Sequence, residues 1–299
     1  MNRNVFVYLF VLLSVSACSS DKVAVEEKKA QAMVVTANPL ATAAGLEILR
    51  AGGSAVDAAI AIEAVLSLVE PQSSGLAGGG FMVHFDASEN EISVYDGRET
   101  APAAATADMF LLDDNTPMAY LNAKNSGLST GAPGVLAMLS LAHKDQGRLE
   151  WKTLFKRAEQ LATDGFNISP RLYGMLDNFG KYIPKIPEEG PIDAYEYFFD
   201  DNGQPFPAGH VLKNPEYVKT LKIVAEDVSA FYKGPIAAAI AEMVQREPRA
   251  GRLTAADIAS YQAVKHKALC QPYKKIQVCG PPPPSSWLAV GMILGIIEN

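Results

Sequence analysis

The sequence has no basic surplus. Its 26 lysines and arginines are outnumbered by 33 acids, which leaves a formal net charge of −7 over 299 residues. A protein built to grip a phosphate backbone shows the opposite balance, so no nucleic-acid partner is expected. Metal chemistry has little to stand on. The four histidines (His84, His143, His210 and His266) are scattered, and neither HExxH nor CxxC occurs. There is no GxxxxGK followed by Ser or Thr to hold nucleotide phosphates. No cofactor and no metal are expected. The N-terminal apolar run, Val5 to Ala17, falls short of the ~20 residues a helix needs to cross a bilayer.

What is present is apolar material. Hydrophobic residues make up 48% of the chain, enough for a large core in one domain or two closely packed ones. Residues 1–17 read as a secretory signal: Arg3, then the short apolar stretch, then small residues. Val15-Ser16-Ala17-Cys18 looks like a bacterial lipobox, in which Cys18 becomes the lipidated first residue of the mature protein. The competing reading is an ordinary cleavage site with Cys18 incidental. Lipidation would place the protein on the periplasmic side, anchored to the outer membrane. Residues 18–32 are polar and charged, a flexible tether ahead of a folded domain over 33–299.

Helix signals are explicit. Asn38-Pro39 opens a helix that stops before Gly52-Gly53, and Ser54 with Asp57 forms a capping-box-like start for the next, alanine-rich helix. Met33 to Thr36 reads as a short strand ahead of them. FMVHFD and EISVYDGRE read as a hairpin. Further helices are expected at VLAMLSLAHKDQG, over 151–164, near 214–226 and 234–246, and at TAADIASY. Residues 180–209 read as a surface excursion, and WLAVGMILGIIEN begins an apolar helix. Cys270 and Cys279 flank a predicted turn and strand; a disulfide closing that loop and a pair of buried thiols are both open. The glycine run Gly75 to Gly80 follows a helix and precedes a strand. That order is the reverse of a dinucleotide fingerprint, so it indicates close backbone approach or positive φ, or a place where a substrate lies against backbone donors.

Asp96-Gly97-Arg98-Glu99-Thr100 places an arginine where a predicted strand meets a loop. Its planar fork of donors can grip a carboxylate through two parallel hydrogen bonds, which makes Arg98 a candidate anchor for an acidic small molecule. The alternative is a solvated arginine paired with a neighbouring acid.

Several segments in order carry a resemblance: AGLEILRAGGSAVDAAIA, PQSSGLAGGGFMV, DGRETAPAAAT, STGAPGVLAML, EQLATDGF, AFYKGPIAAAIA, LTAADIASYQAV and PPPPSSW. With these, residues 33–299 resemble the γ-glutamyltransferase (glutathione hydrolase) family of Ntn hydrolases. The resemblance implies an α+β fold, the αββα sandwich, present here as the large-subunit half. It also implies a precursor that cuts itself into two subunits. The nucleophile is then the new N-terminal threonine of the small subunit, attacking the γ-carbonyl of glutathione and related γ-glutamyl compounds. Arg98 matches the arginine that holds the glutamyl α-carboxylate. The family's Thr-Thr-His cleavage segment is not found in this sequence, so no catalytic residue is expected in the chain and a small subunit is expected as its partner. Ser285-Ser286 lie in a stretch where the family continues with two glycines; here Trp287-Leu288 follow. Three functional readings stand: the large-subunit part of a lipid-anchored enzyme, a γ-glutamyl-binding lipoprotein without turnover, and an inert fragment. A related branch acts on cephalosporin-type acyl groups.

Overall fold

The computed structural model describes residues 32–183, 194–247 and 250–298. The signal, tether and Cys18 readings fall on residues outside that range, save for the tether's last residue. The elements below belong to one unit, Val34–Asn299.

Helix α1 (Pro39–Arg50) starts where expected. Asn38 accepts from the Leu40 N–H, and Pro39 fills the first position, where no intrahelical donor is needed. Helix α2 (Ala55–Val69) is opened by a full capping box. Ser54 accepts from the Asp57 N–H and Asp57 accepts from the Ser54 N–H. Asp57 is fully buried, and its Oδ2 also accepts from the N–H groups of Arg148 and Leu149 at 2.9 and 3.1 Å. The cap therefore also ties a distant loop to the start of α2. Nine of the fifteen α2 residues are buried, as an alanine-rich helix that is apolar on most sides requires.

Strands β1 (Gly80–Asp86) and β2 (Glu91–Gly97) form the hairpin. Helix α3 (Tyr120–Lys124) is short, and α4 (Val135–Gln146) crosses under the hairpin. The predicted helix over 151–164 splits into a 3₁₀ turn at 151–155 and α5 (Lys156–Asp164). There follow β3 (Phe166–Asn167), α6 (Pro170–Phe179), α7 (Ala194–Phe198), β4 (Val211–Leu212), α8 (Pro215–Glu226), α9 (Ser229–Lys233), α10 (Pro235–Val244) and α11 (Ala255–Ser260). The last elements are β5 (Val264–Lys267), β6 (Leu269–Tyr273), β7 (Ile276–Gly280) and α12 (Trp287–Glu298). The main sheet is antiparallel in the order β1-β2-β5; β3-β4 and β6-β7 are separate two-stranded ladders.

One expectation fails outright and another in part. Within the 180–209 excursion, Phe198 and Phe199 are buried in the core. Residues 33–36 form no strand, and Met33 and Val35 are exposed. A strand exists only through its ladder, and among the described residues none runs beside this segment.

The sheet is covered on one side. Tyr95 on β2 is fully buried and donates to Asp145 Oδ2 on α4 at 2.9 Å, while Lys265 on β5 reaches the same oxygen at 2.8 Å. This link joins β2, β5 and α4. Along each strand the side chains alternate. Val83, Phe85, Val94 and Val264 therefore share the opposite face; Val94, on the central strand, is fully buried, and the other three are exposed. Helix α12 is similar: Leu288, Met292, Ile293, Ile296 and Ile297 are exposed, and only Gly291 is buried. It lies along β6, where Gln271 Nε2 donates to the Gly291 carbonyl at 2.7 Å. No helix among the described residues is long and apolar enough to cross a membrane.

The core is fastened at Glu70, which ends α2 and is 1% exposed. Its Oε1 accepts from Asn38 Nδ2 at 2.8 Å and Ser169 Oγ at 3.1 Å. Its Oε2 accepts from Gln72 Nε2 and Arg171 Nη1, both at 2.6 Å. Burial pushes this carboxyl up, but the hydrogen bonds together outweigh burial and hold it below the ordinary carboxylate value.

A second fixed point lies where β2 ends. A Cβ on Gly97 would come within 2.6 Å of Met138 Cβ, and one on Gly134 would overlap the Gly97 carbonyl oxygen and the Tyr261 hydroxyl. Glycine is needed at both positions for close approach; neither has positive φ.

Two outcomes follow. Glu70→Ala strands four donors and should cost about 2–3 kcal/mol in chemical denaturation. Because the folded-state pKa is depressed, the contribution of Glu70 is present above the unfolded carboxylate value and is lost as pH falls through the folded one. Glu70→Gln should therefore show a smaller loss of stability on acidification than wild type; an equal loss would count against this assignment. Gly134→Ala should lower stability by about 1–3 kcal/mol, since the added methyl group must displace backbone. An unchanged midpoint would mean that the loop moves aside freely.

Candidate active site

Arg98 is the first residue beyond β2, so it receives no hydrogen bond from the sheet ladder. Side chains satisfy its backbone instead. Its N–H donates to Asp96 Oδ1 at 2.8 Å, and its carbonyl accepts from the Tyr261 hydroxyl at 2.8 Å. The guanidinium Nη1 donates to Glu99 Oε2 at 2.9 Å, and the Arg98 side chain remains 53% exposed. It lines a cavity of about 480 Å³ together with Glu99, Thr100 and Pro102, and with Met109 and Leu128 on the walls. Both readings of Arg98 thus have a physical counterpart: it is paired with a neighbouring acid, and it stands at a cleft.

Ala77 and Glu99 also border a second cavity of about 830 Å³, formed between α2, the glycine run and α4. The run works by close approach. Gly75, Gly78, Gly79 and Gly80 all lack positive φ, and a Cβ on Gly79 would overlap the Glu99 carboxylate. The Gly78 carbonyl accepts from the N–H groups of Gly134 and Val135, which sets this loop against the start of α4. Two polar side chains border the larger cavity from the α2 side. Burial raises the Glu63 carboxyl above its ordinary value, against the pull of hydrogen bonds from Ser67 and the Gly75 backbone. Gln72 donates to Glu70.

Tyr261 follows α11 and lies 163 residues from Arg98 in sequence. Its ring stacks on Tyr232 at 6.2 Å with an interplanar angle of 14°. Burial, then the carboxylates of Asp96 and Glu99, push its hydroxyl up to about 12, so it remains a neutral donor. On the other side of Asp96, His266 Nε2 lies 3.6 Å from Oδ2. Sequence reading missed both Asp96 and Tyr261 as neighbours of Arg98. The Asp-Gly-Arg spacing is a turn signal that could have flagged Asp96. Nothing local marks Tyr261.

Cys270 and Cys279 face each other across the β6–β7 ladder and are joined by a disulfide, with Cα atoms 4.1 Å apart. Ser285 Oγ accepts from the Trp287 N–H at the start of α12. The Trp287 ring occupies the space beside the Gly280 Cα. Neither Ser285 nor Ser286 is among the residues lining the Arg98 cavity.

Comparison with known proteins converges on one group. Residues 41–299 match the sequence model of the gamma-glutamyltranspeptidase family. The glutathione hydrolase proenzyme of Escherichia coli (strain K12) is 36% identical over 271 residues, covering 90% of this chain and 45% of that protein. That of Bacillus subtilis (strain 168) is 33% identical over 255 residues, covering 85% and 42%. Among solved structures, Helicobacter pylori gamma-glutamyltranspeptidase superimposes with a TM-score of 0.82 at 29% identity, covering 90% of this chain and 75% of that one. The chain spans a little under half the length of these curated relatives. The family match over most of the sequence and the shared α+β fold lead to one conclusion: this chain belongs to the gamma-glutamyltranspeptidase family.

Proposed function

We propose that this chain supplies the glutamyl-anchoring part of a γ-glutamyltransferase/glutathione hydrolase. The observation that carries the reading is Arg98, with its backbone held on both sides and the residue lining a cleft. A guanidinium there binds the α-carboxylate of a γ-glutamyl compound such as glutathione through paired hydrogen bonds. Holding that end fixes where the γ-carbonyl lies, and such positioning lowers the barrier by reducing the entropy lost at the reacting centre.

The attacking group in this reading is a threonine on a small subunit that docks with this chain. Its hydroxyl oxygen bonds to the γ-carbonyl carbon, the amide C–N bond breaks, and the departing amine takes a proton. Water or an amine acceptor then releases the γ-glutamyl group from the threonine ester. The exposed Val83, Phe85 and Val264 on the sheet and the apolar α12 surface suit a permanent partner of that kind, because burying apolar area is worth roughly 25 cal/mol per Å². Residues 1–17 are read as an export signal. Acylated Cys18 then fastens the protein to the outer membrane from the periplasmic side, with 19–32 as the tether.

Arg98→Ala should raise the dissociation constant for glutathione at least tenfold in calorimetry, with its thermal midpoint close to wild type because the side chain is half exposed. Equal affinity in the two proteins would remove the anchor. If Arg98-dependent binding is found but γ-glutamyl anilide stays intact with the small subunit supplied, the chain binds without turnover. For the membrane reading, Cys18→Ala should abolish incorporation of labelled palmitate and move the protein to the soluble fraction. Retention of label in that variant would rule out the lipid anchor at this position.

A further inference from the structure

We propose that Tyr261 and Asp96 are positioning residues for the Arg98 guanidinium, and that together they set how strongly the cleft selects ligands carrying an α-carboxylate. The inference rests on the reading of Arg98 as a carboxylate anchor and adds to it the groups that hold the anchor still.

β2 pairs with β1 as far as Gly97 and with β5 as far as Asp96, so Arg98 lies beyond both ladders. A residue in that position would ordinarily have its N–H and C=O hydrated and its φ and ψ free to vary. Here both groups are bound to side chains, on opposite sides of the Cα. Asp96 reaches forward two residues to the N–H, the geometry of an Asx turn. Tyr261 arrives from another part of the chain, so its bond is tertiary and persists only while the α11 end stays in place.

The tyrosine is itself held. Its ring stacks on Tyr232, whose hydroxyl accepts from the Ala137 N–H in the first turn of α4 at 2.9 Å. The absence of a side chain on Gly134 leaves the space its hydroxyl occupies. The same small residues that let β2, the 130–134 loop and α4 close up thus give the tyrosine its route to the Arg98 carbonyl.

The consequence concerns binding more than folding. A long arginine side chain loses rotamer freedom when it grips a ligand, and any freedom of its Cα adds to that cost. Fixing the backbone on both sides confines the origin of the guanidinium, leaving only its side-chain torsions to be ordered. Loss of either bond should therefore weaken the carboxylate contact and leave the rest of the ligand untouched.

The test compares two ligands by calorimetry on the full chain: γ-glutamylglycine, and 4-aminobutyrylglycine, the same amide without the α-carboxylate. Wild type should prefer the first, and Arg98→Ala should lose the preference. Tyr261→Phe and Asp96→Ala should each shrink the preference about five- to tenfold, as expected for one lost hydrogen bond. Asp96→Asn keeps the Oδ1 acceptor and should restore it. In an Arg98→Ala background neither substitution should change the selectivity further. Full preference in both Tyr261→Phe and Asp96→Ala would overturn the proposal. So would a loss of selectivity that persists without the Arg98 guanidinium, since that would mark a general effect on the fold. If Tyr261→Phe does not fold, the Asp96→Ala and Asp96→Asn pair decides by the same readout. A wild-type chain that binds both ligands equally would overturn the anchor reading itself, and this inference with it; a wild-type preference that survives Tyr261→Phe and Asp96→Ala would overturn the inference alone.

Discussion

A buried carboxylate holds the scaffold together. Glu70 has almost no contact with solvent, so every lone pair it offers must be met from within the protein. The donors it recruits are also structural punctuation. Asn38 caps α1 with its side-chain oxygen and gives its amide N–H to Glu70. Ser169 caps α6 by accepting from the Leu172 N–H and gives its hydroxyl hydrogen to the same carboxylate. One charge at the end of α2 therefore fixes the starts of two other helices. Arg171, within α6, adds a charge-assisted bond and reaches Ser73 with its second nitrogen, which ties in the loop that leads to the glycine run.

From that loop the constraint passes to the cleft by packing alone. Gly78 receives the first N–H groups of α4, Gly79 leaves room for the Glu99 carboxylate, and Gly97 and Gly134 bring β2 and α4 into contact. No strained backbone is involved at these four glycines, since all have φ values open to any residue. What they supply is absence of volume. A methyl group at any of them would meet a carbonyl, a carboxylate or a neighbouring side chain. The segment from Asp96 to Thr100 thereby runs in a slot with little freedom, and Thr100 closes it by accepting from the Ala132 N–H at 2.8 Å.

Local chemistry was legible in the sequence; long-range chemistry was not. The caps at Asn38 and Ser54, the hairpin, and the apolar final helix follow from patterns that act within a few residues. The segment 33–36 failed for the opposite reason, because strand formation depends on a partner that composition cannot name. β5 also escaped notice: VKHK has no alternation of apolar and polar residues, and its membership of the sheet rests on pairing with β2 and on the Lys265–Asp145 contact. Arg98 stood out because residue type and strand-end position are both local. The role of Tyr261 depends on segments more than a hundred residues apart meeting at the Arg98 carbonyl oxygen, with Gly134 leaving room for its hydroxyl, and no window of sequence contains that information.

If Arg98 is the proposed carboxylate anchor, its contact with Glu99 explains why rigidity matters there. Both side chains are substantially exposed, and an ion pair in that setting contributes only about 0.2–1 kcal/mol. An incoming carboxylate can take over the Nη1 donor at small cost, since it restores the same kind of bond that it breaks. The exchange is close to balanced in pair energy, so discrimination must come from geometry. Two parallel hydrogen bonds to a ligand carboxylate require the guanidinium plane to face the cleft, whereas the bond to Glu99 uses one nitrogen only. A wandering backbone would average over both arrangements and lose the advantage of the second bond. In the proposed anchor role, with its Cα held from both sides, Arg98 keeps Glu99 as a weak resting partner and still favours a ligand that presents a flat, two-oxygen face to the cleft.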